Sequence, residues 1–140
     1  MAALPNLFIS DGDNVDVFNG SSLNTNFIST NSAAGLAVGV DGTLYAVSRD
    51  DAQVYSYNAM TGALTGTFVP FLGSTDPGSV QGPAGMTWGP DGHLYIADVT
   101  ASNVHVYSGT GASLTSLGSA TLDQPTHVAF NRTGQTLRRG

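Results

Sequence analysis

The sequence predicts an all-β chain of four-stranded antiparallel blades, a β-propeller, on two observations. A glycine-led phrase occurs twice, fifty residues apart, as Gly35-Leu36-Ala37-Val38-Gly39-Val40-Asp41-Gly42-Thr43-Leu44-Tyr45-Ala46 and Gly85-Met86-Thr87-Trp88-Gly89-Pro90-Asp91-Gly92-His93-Leu94-Tyr95-Ile96-Ala97. A second unit, Asn14-Val15-Asp16-Val17-Phe18, returns as Gln53-Val54-Tyr55-Ser56-Tyr57 and as Asn103-Val104-His105-Val106-Tyr107. Short strands repeated at that period are the pattern of propeller blades. No window keeps a 3.6-residue apolar period and glycines recur throughout, so helices are not expected.

With strands labelled A to D from the inside of a blade outward, the chain opens on a strand B over 7–10, where Leu7-Phe8-Ile9-Ser10 parallels Leu44-Tyr45-Ala46-Val47 and Leu94-Tyr95-Ile96-Ala97. Strand C follows over 14–19 and strand D over 26–30. The next unit is complete, with strands over 35–40, 43–48, 53–57 and 64–69. So is the third, over 85–89, 93–98, 103–108 and 113–117. A lone strand A is expected over 127–131, where His127-Val128-Ala129-Phe130-Asn131-Arg132-Thr133-Gly134 parallels the opening phrase. The A and B strands are joined by Asp41-Gly42 and Asp91-Gly92, read as two-residue type I′ hairpins. Connectors such as Gly73-Ser74-Thr75-Asp76-Pro77-Gly78 read as loops.

The order B-C-D, A-B-C-D, A-B-C-D, A amounts to three blade-equivalents, with units at 1–32, 33–80, 81–123 and 124–140. Three blades do not close a ring, and an open arc leaves apolar faces and strand edges in water. The lone strand A is the one the first unit lacks. The expected partner is therefore the chain itself: a homodimer in which residues 127–131 pair with residues 7–10 of a neighbour, giving six blades by strand exchange about a two-fold axis. A nine-bladed trimer is the lesser alternative. The sequence starts within a blade, and Gln135-Thr136-Leu137 begins like another strand B, a pattern expected of a piece cut from a longer propeller.

The 140 residues are 41% hydrophobic, ordinary for a packed protein. The charges are not ordinary: there is no Lys and no Glu, all ten acids are Asp and all four bases Arg, for a net charge of −6. Ser, Thr, Asn and Gly carry the remaining polarity, as suits tight turns and also an extracellular or cell-surface setting. The acidic balance disfavours nucleic acid and anionic membranes, whose recognition rests on Lys and Arg. With no Cys there are no disulfides or thiolate metal sites. Met1-Ala2-Ala3-Leu4-Pro5-Asn6 lacks the pattern of a signal peptide, and no stretch approaches the ~20 apolar residues of a membrane span.

The phrases Gly82-Pro83-Ala84-Gly85-Met86 and Pro90-Asp91-Gly92-His93-Leu94-Tyr95-Ile96-Ala97-Asp98, followed by Asn103-Val104-His105-Val106-Tyr107, resemble NHL repeats, over essentially the whole chain. The resemblance implies a propeller. It is much less specific for function, because similar propellers include gluconolactonase-type lactonases, streptogramin lyases, the lyase of peptide amidation, RNA-binding domains and extracellular proteins. Asn14, Gln53 and Asn103 stand where that family often carries an Arg before strand C, a departure that weakens an RNA-binding reading.

Four residues are candidates for a binding site. Asp11 and Asp98 match the family's aspartate at the end of strand B. Each offers a carboxylate near the channel mouth for a divalent cation or, more simply, an acceptor for turn N–H groups. His127 begins an innermost strand, whereas His93 opens strand B and His105 sits within strand C, so the three are not expected to form a metal site. Trp88 in strand A is read first as a wedge between blades and second as a stacking platform for a sugar.

No catalytic constellation emerges: there is no nucleophile-elbow motif. The Glu on which the streptogramin-lyase and gluconolactonase types rely is absent from the sequence. The expected function is a non-enzymatic binding or scaffold propeller with no cofactor, engaging a glycan, protein or small ligand. The alternative is a metal-dependent lactonase-like hydrolase or lyase holding a divalent cation.

Overall fold

The computed structural model describes residues 6–30, 32–49, 53–69, 83–100, 102–118 and 121–131. The 73–78 connector and the strand-like start at 135–137 lie outside them. Eleven strands form among the described residues, because β-branched and aromatic residues alternate with small polar ones between glycine- and Asx-rich turns. They are β1 (Leu7–Asp11), β2 (Asn14–Phe18), β3 (Leu23–Ser29), β4 (Ala33–Val38), β5 (Leu44–Ser48), β6 (Gln53–Tyr57), β7 (Leu64–Val69), β8 (Pro83–Trp88), β9 (Leu94–Asp98), β10 (Asn103–Tyr107) and β11 (Ser113–Leu117). Among the described residues no helix is long and apolar enough to cross a membrane.

The strands make three antiparallel sheets of sequential neighbours, β1-β2-β3, β4-β5-β6-β7 and β8-β9-β10-β11. These are the B-C-D unit and the two complete units expected from the repeat, and the chain is a partial β-propeller. Registers repeat from blade to blade: Leu44 pairs with Tyr57 as Leu94 pairs with Tyr107. Strand β3 begins at Leu23, three residues before the expected start, because Phe18 pairs with Leu23 and a bulge opposite Asp16 absorbs the extra length.

Two apolar interfaces hold the blades together. Between the first and second lie Val15, Ile28, Leu44, Ala46 and Tyr57, with Phe8 and Leu36 beside them. Between the second and third lie Val47, Val54, Met86, Leu94, Ile96 and Tyr107. Alternation along β5 explains how one strand serves both: Leu44 and Ala46 turn one way, Tyr45 and Val47 the other. Trp88 wedges into the second interface, edge-on to Tyr45 at 5.2 Å and to Phe68 at 5.7 Å. By the same alternation, the face of the first blade turned away from the second carries Leu7, Ile9 and Phe18. Their exposures of 57%, 37% and 38% mark it as an uncovered propeller face.

The A-B hairpins differ from expectation. A type I′ turn requires φ > 0 at both central residues, but only Gly42 (φ 85°) and Gly92 (φ 82°) are left-handed, not Asp41 or Asp91. Gly39 N–H donates to Thr43 O (2.9 Å) and Gly42 N–H to Gly39 O (3.0 Å), a type I turn closed by one left-handed glycine; Gly89 and His93 repeat it. The aspartates decide this, since each accepts the N–H two residues on, Thr43 at 3.0 Å and His93 at 3.1 Å. Pro90 occupies the turn position that a fixed φ near −65° favours.

The run expected as a twelfth strand, 127–131, forms no ladder among the described residues, where the neighbouring β8 pairs with β9 alone. It is nevertheless placed as an inner strand. Gly85 N–H donates to Thr126 O (2.8 Å), and Phe130 packs edge-on to Tyr95 at 4.9 Å. A methyl group at Gly85 would meet Thr126 O and His127 Cα at 2.7 and 2.9 Å, as one at Gly35 would meet the Ala84–Met86 backbone. The 126–130 run therefore lies against β8 much as β8 lies against β4.

Candidate functional site

The innermost strands of the three blades converge with the 126–128 run on an axial cavity of about 390 Å³. Strand β1 contributes Phe8 and Ser10, β4 contributes Ala34, Gly35 and Leu36, and β8 contributes Ala84, Gly85 and Met86. Gly35 and Gly85 leave its floor free of side chains, and their close approach to the next inner strand excludes anything larger. Arg49, Val99, Thr126, His127 and Val128 complete the lining.

The chemistry of this lining is one-sided. Arg49 is the only Lys or Arg among the described residues, and it reaches the cavity because it directly follows β5, where the turns leave the inner blade. His127 Nδ1 lies 3.1 Å from Thr126 Oγ1, which leaves Nε2 for a further partner. Ser10 and Thr126 add hydroxyls, and among the described residues no carboxylate lines the cavity. A divalent cation in a protein site takes mainly carboxylate and carbonyl oxygens, and the described side chains of this lining supply a guanidinium, an imidazole and hydroxyls instead. A second, smaller cleft of about 230 Å³ lies between the A-B hairpins of the second and third blades, lined by Asp41, Tyr45, Trp88 and glycine backbone.

The four sequence candidates fall in four places. His127 lines the axial cavity. Trp88 lies in the interface between blades and edges the hairpin cleft. Asp11 is exposed at the end of β1, its carboxyl held above the usual range first by a hydrogen bond with Asp16 and then by the like charge there. Asp98 is fully buried, with its Oδ2 3.0 Å from His105 Nε2. Neither aspartate is part of the cavity lining.

Asp98 belongs to a constellation that the sequence did not reveal. Ser116 Oγ lies 3.2 Å from the other ring nitrogen of His105, so an aspartate, a histidine and a serine are linked in series across β9, β10 and β11. With the carboxylate accepting the Nε2 proton, Nδ1 accepts from the Ser116 hydroxyl. Neither cavity reaches these residues. The series works as a polar cross-link inside the blade, on the face packed against its neighbour, where each buried polar group requires a partner. The cross-strand register that sets His105 opposite Ser116 was the available signal. Arg49 was legible too, as the one Arg before residue 132.

Other perturbed groups are explained locally. Asp91 is held below the usual carboxylate range, chiefly by the Tyr95 hydroxyl that donates to it at 2.6 Å, and Tyr95 is raised by the same bond. Burial and the Asp98 charge push Tyr107 up to about 12.

Comparison with known proteins bears on the fold. No protein-family profile matches the chain, and no curated protein sequence matches it. Solved structures do. The nidogen/laminin complex aligns at a TM-score of 0.66 with 15% identity over 84% of this chain and 46% of that one. Virginiamycin B lyase from Staphylococcus aureus gives 0.63 with 15% identity over 87% and 41%. A gluconolactonase from Xanthomonas campestris gives 0.60 with 21% identity over 84% and 37%. This chain thus spans between about a third and a half of the length of the structures it matches. At such identities the likeness concerns architecture, and the architecture is that of propellers.

Proposed function

We propose that the chain forms a non-enzymatic, NHL-type binding propeller, outside the cell or on its surface, that assembles with a second copy into a closed ring and takes its ligand in the axial cavity. The observation that carries this reading is the donor set that the described residues bring to the cavity, the Arg49 guanidinium and the His127 imidazole with the Thr126 hydroxyl beside it, which suits holding a ligand by hydrogen bonds. Ring closure is supported by the uncovered Leu7, Ile9 and Phe18 face at one end and by Phe130 on Tyr95 at the other. The surface of Ser, Thr, Asn and Gly, without Lys or Glu, underlies the location.

A lactonase-like hydrolase or lyase is the competing reading, favoured by the gluconolactonase and the lyase among structures of like fold. Elemental analysis of the gently purified protein separates the two. The binding reading expects no stoichiometric divalent metal. One tightly held zinc, calcium or magnesium per chain, lost on mutation of Asp11 or His127, would overturn it.

A further inference from the structure

We infer that the axial cavity is an anion site for a small carboxylate with an apolar tail, its carboxylate held by Arg49 and His127. This deepens the proposed binding function and rests on that reading's choice of cavity.

The argument begins with charge. In a chain of ten acids and four bases, an anion site is improbable at a random place on the surface. Yet the one basic side chain among the described residues that is always charged lines the axial cavity, and no acid accompanies it among the described lining residues. Among the described residues Arg49 makes no ion pair, while Asp50 and Asp51, which follow it, lie outside them. The guanidinium fork matches a carboxylate in two parallel hydrogen bonds. With the Thr126 hydroxyl donating to Nδ1, the His127 ring carries its proton on Nε2, which donates to the carboxylate.

The rest of the wall sets the other end of the ligand. Leu36, Met86, Val99 and Val128 are apolar, and Gly35 and Gly85 add no side chains of their own. A few polar groups that fix orientation on an otherwise apolar wall are the usual composition of a small-ligand pocket. A fully hydrated ion such as inorganic phosphate gains nothing from those apolar walls, whereas an aliphatic or aromatic monocarboxylate does.

Titration calorimetry of the intact protein tests this with three probes: hexanoate, hexanamide as its uncharged counterpart, and inorganic phosphate. Hexanoate is expected to bind at one site per chain, and hexanamide and phosphate at least about tenfold more weakly, the size of one charge-assisted hydrogen bond. Arg49→Gln, at an exposed position, is expected to weaken hexanoate by about tenfold or more, and Arg49→Lys to recover part of it. His127→Gln provides a second variant with a smaller loss. No hexanoate binding, equal binding of hexanoate and hexanamide, preference for phosphate, or an unchanged Arg49→Gln variant each overturns the assignment. Light scattering on the same samples reads ring closure separately, so loss of the carboxylate site with the assembly intact refutes this inference and leaves the propeller reading standing.

Discussion

Phe130 packs edge-on against Tyr95 with ring centroids 4.9 Å apart, repeating one blade later the contact of Trp88 with Tyr45 at 5.2 Å. The two tyrosines hold the same place in β9 and β5, and the two partners the same place in the glycine-led phrase. A segment without a ladder thus already occupies the inner-strand position of a following blade. The two contacts should differ in weight. Trp88 also meets Phe68 and lies within a closed interface, so Trp88→Ala should cost about 3–5 kcal/mol. Phe130 is 45% exposed in the single chain, and Phe130→Ala should cost only about 1 kcal/mol there. Urea unfolding at low concentration, where an assembly would dissociate, measures both; equal losses would show that residues 127–131 are held by something other than this ring contact.

The Asp98–His105 pair predicts a context-dependent loss. Asp98→Ala leaves His105 without its buried acceptor and should cost about 3 kcal/mol or more. The second blade carries Ser48 and Tyr55 at the matching register positions. The double variant Asp98→Ser/His105→Tyr, which installs that pair, should therefore be more stable than Asp98→Ala. Melting temperatures of the variants decide it, and a double variant less stable than the single one would contradict the cross-link role.

The A-B hairpins predict strain without a clash. A Cβ at Gly42 or Gly92 meets no atom within 4 Å, but φ at both is left-handed. Gly42→Val should lose about 1–3 kcal/mol from backbone strain alone, and Gly42→Asn much less, since Asn tolerates this region. Thermal unfolding that ranks Asn with Val would argue against a left-handed turn.

Alkaline pH should act through Tyr107. Its phenol is raised from 10.0 to about 12 by burial and by the Asp98 charge, so the folded state holds the proton more tightly than the unfolded state does. Its contribution to stability is complete below pH 10 and is lost as pH rises from there toward 12. A plot of stability against pH should fall in that window, with a phenolate absorbance change alongside, and Tyr107→Phe should flatten it. A slope unchanged in that variant would assign the effect elsewhere.

The repeat made the blades legible because strand alternation and turn glycines are local signals, and eleven of the twelve expected strands form within a few residues of their sequence positions. Hairpin type was misread because Asp-Gly suits two turn classes, and the choice lies in whether the aspartate caps the N–H two residues on. The site was harder to see. Asp11 and Asp98 occupy the same place in the repeat, yet one is exposed beside Asp16 and the other buried against His105, a difference made by the facing strand and the neighbouring blade. Arg49 gains its meaning only when three inner strands converge beside it.

The central claim is that this chain's open ends are closed by a second copy. Size-exclusion chromatography with light scattering tests it most directly. The account predicts a particle of twice the 14.3 kDa chain mass, and loss of that species, with an unstable or aggregating product, when residues 126–140 are deleted. A soluble, cooperatively folding monomer of the intact chain would contradict it.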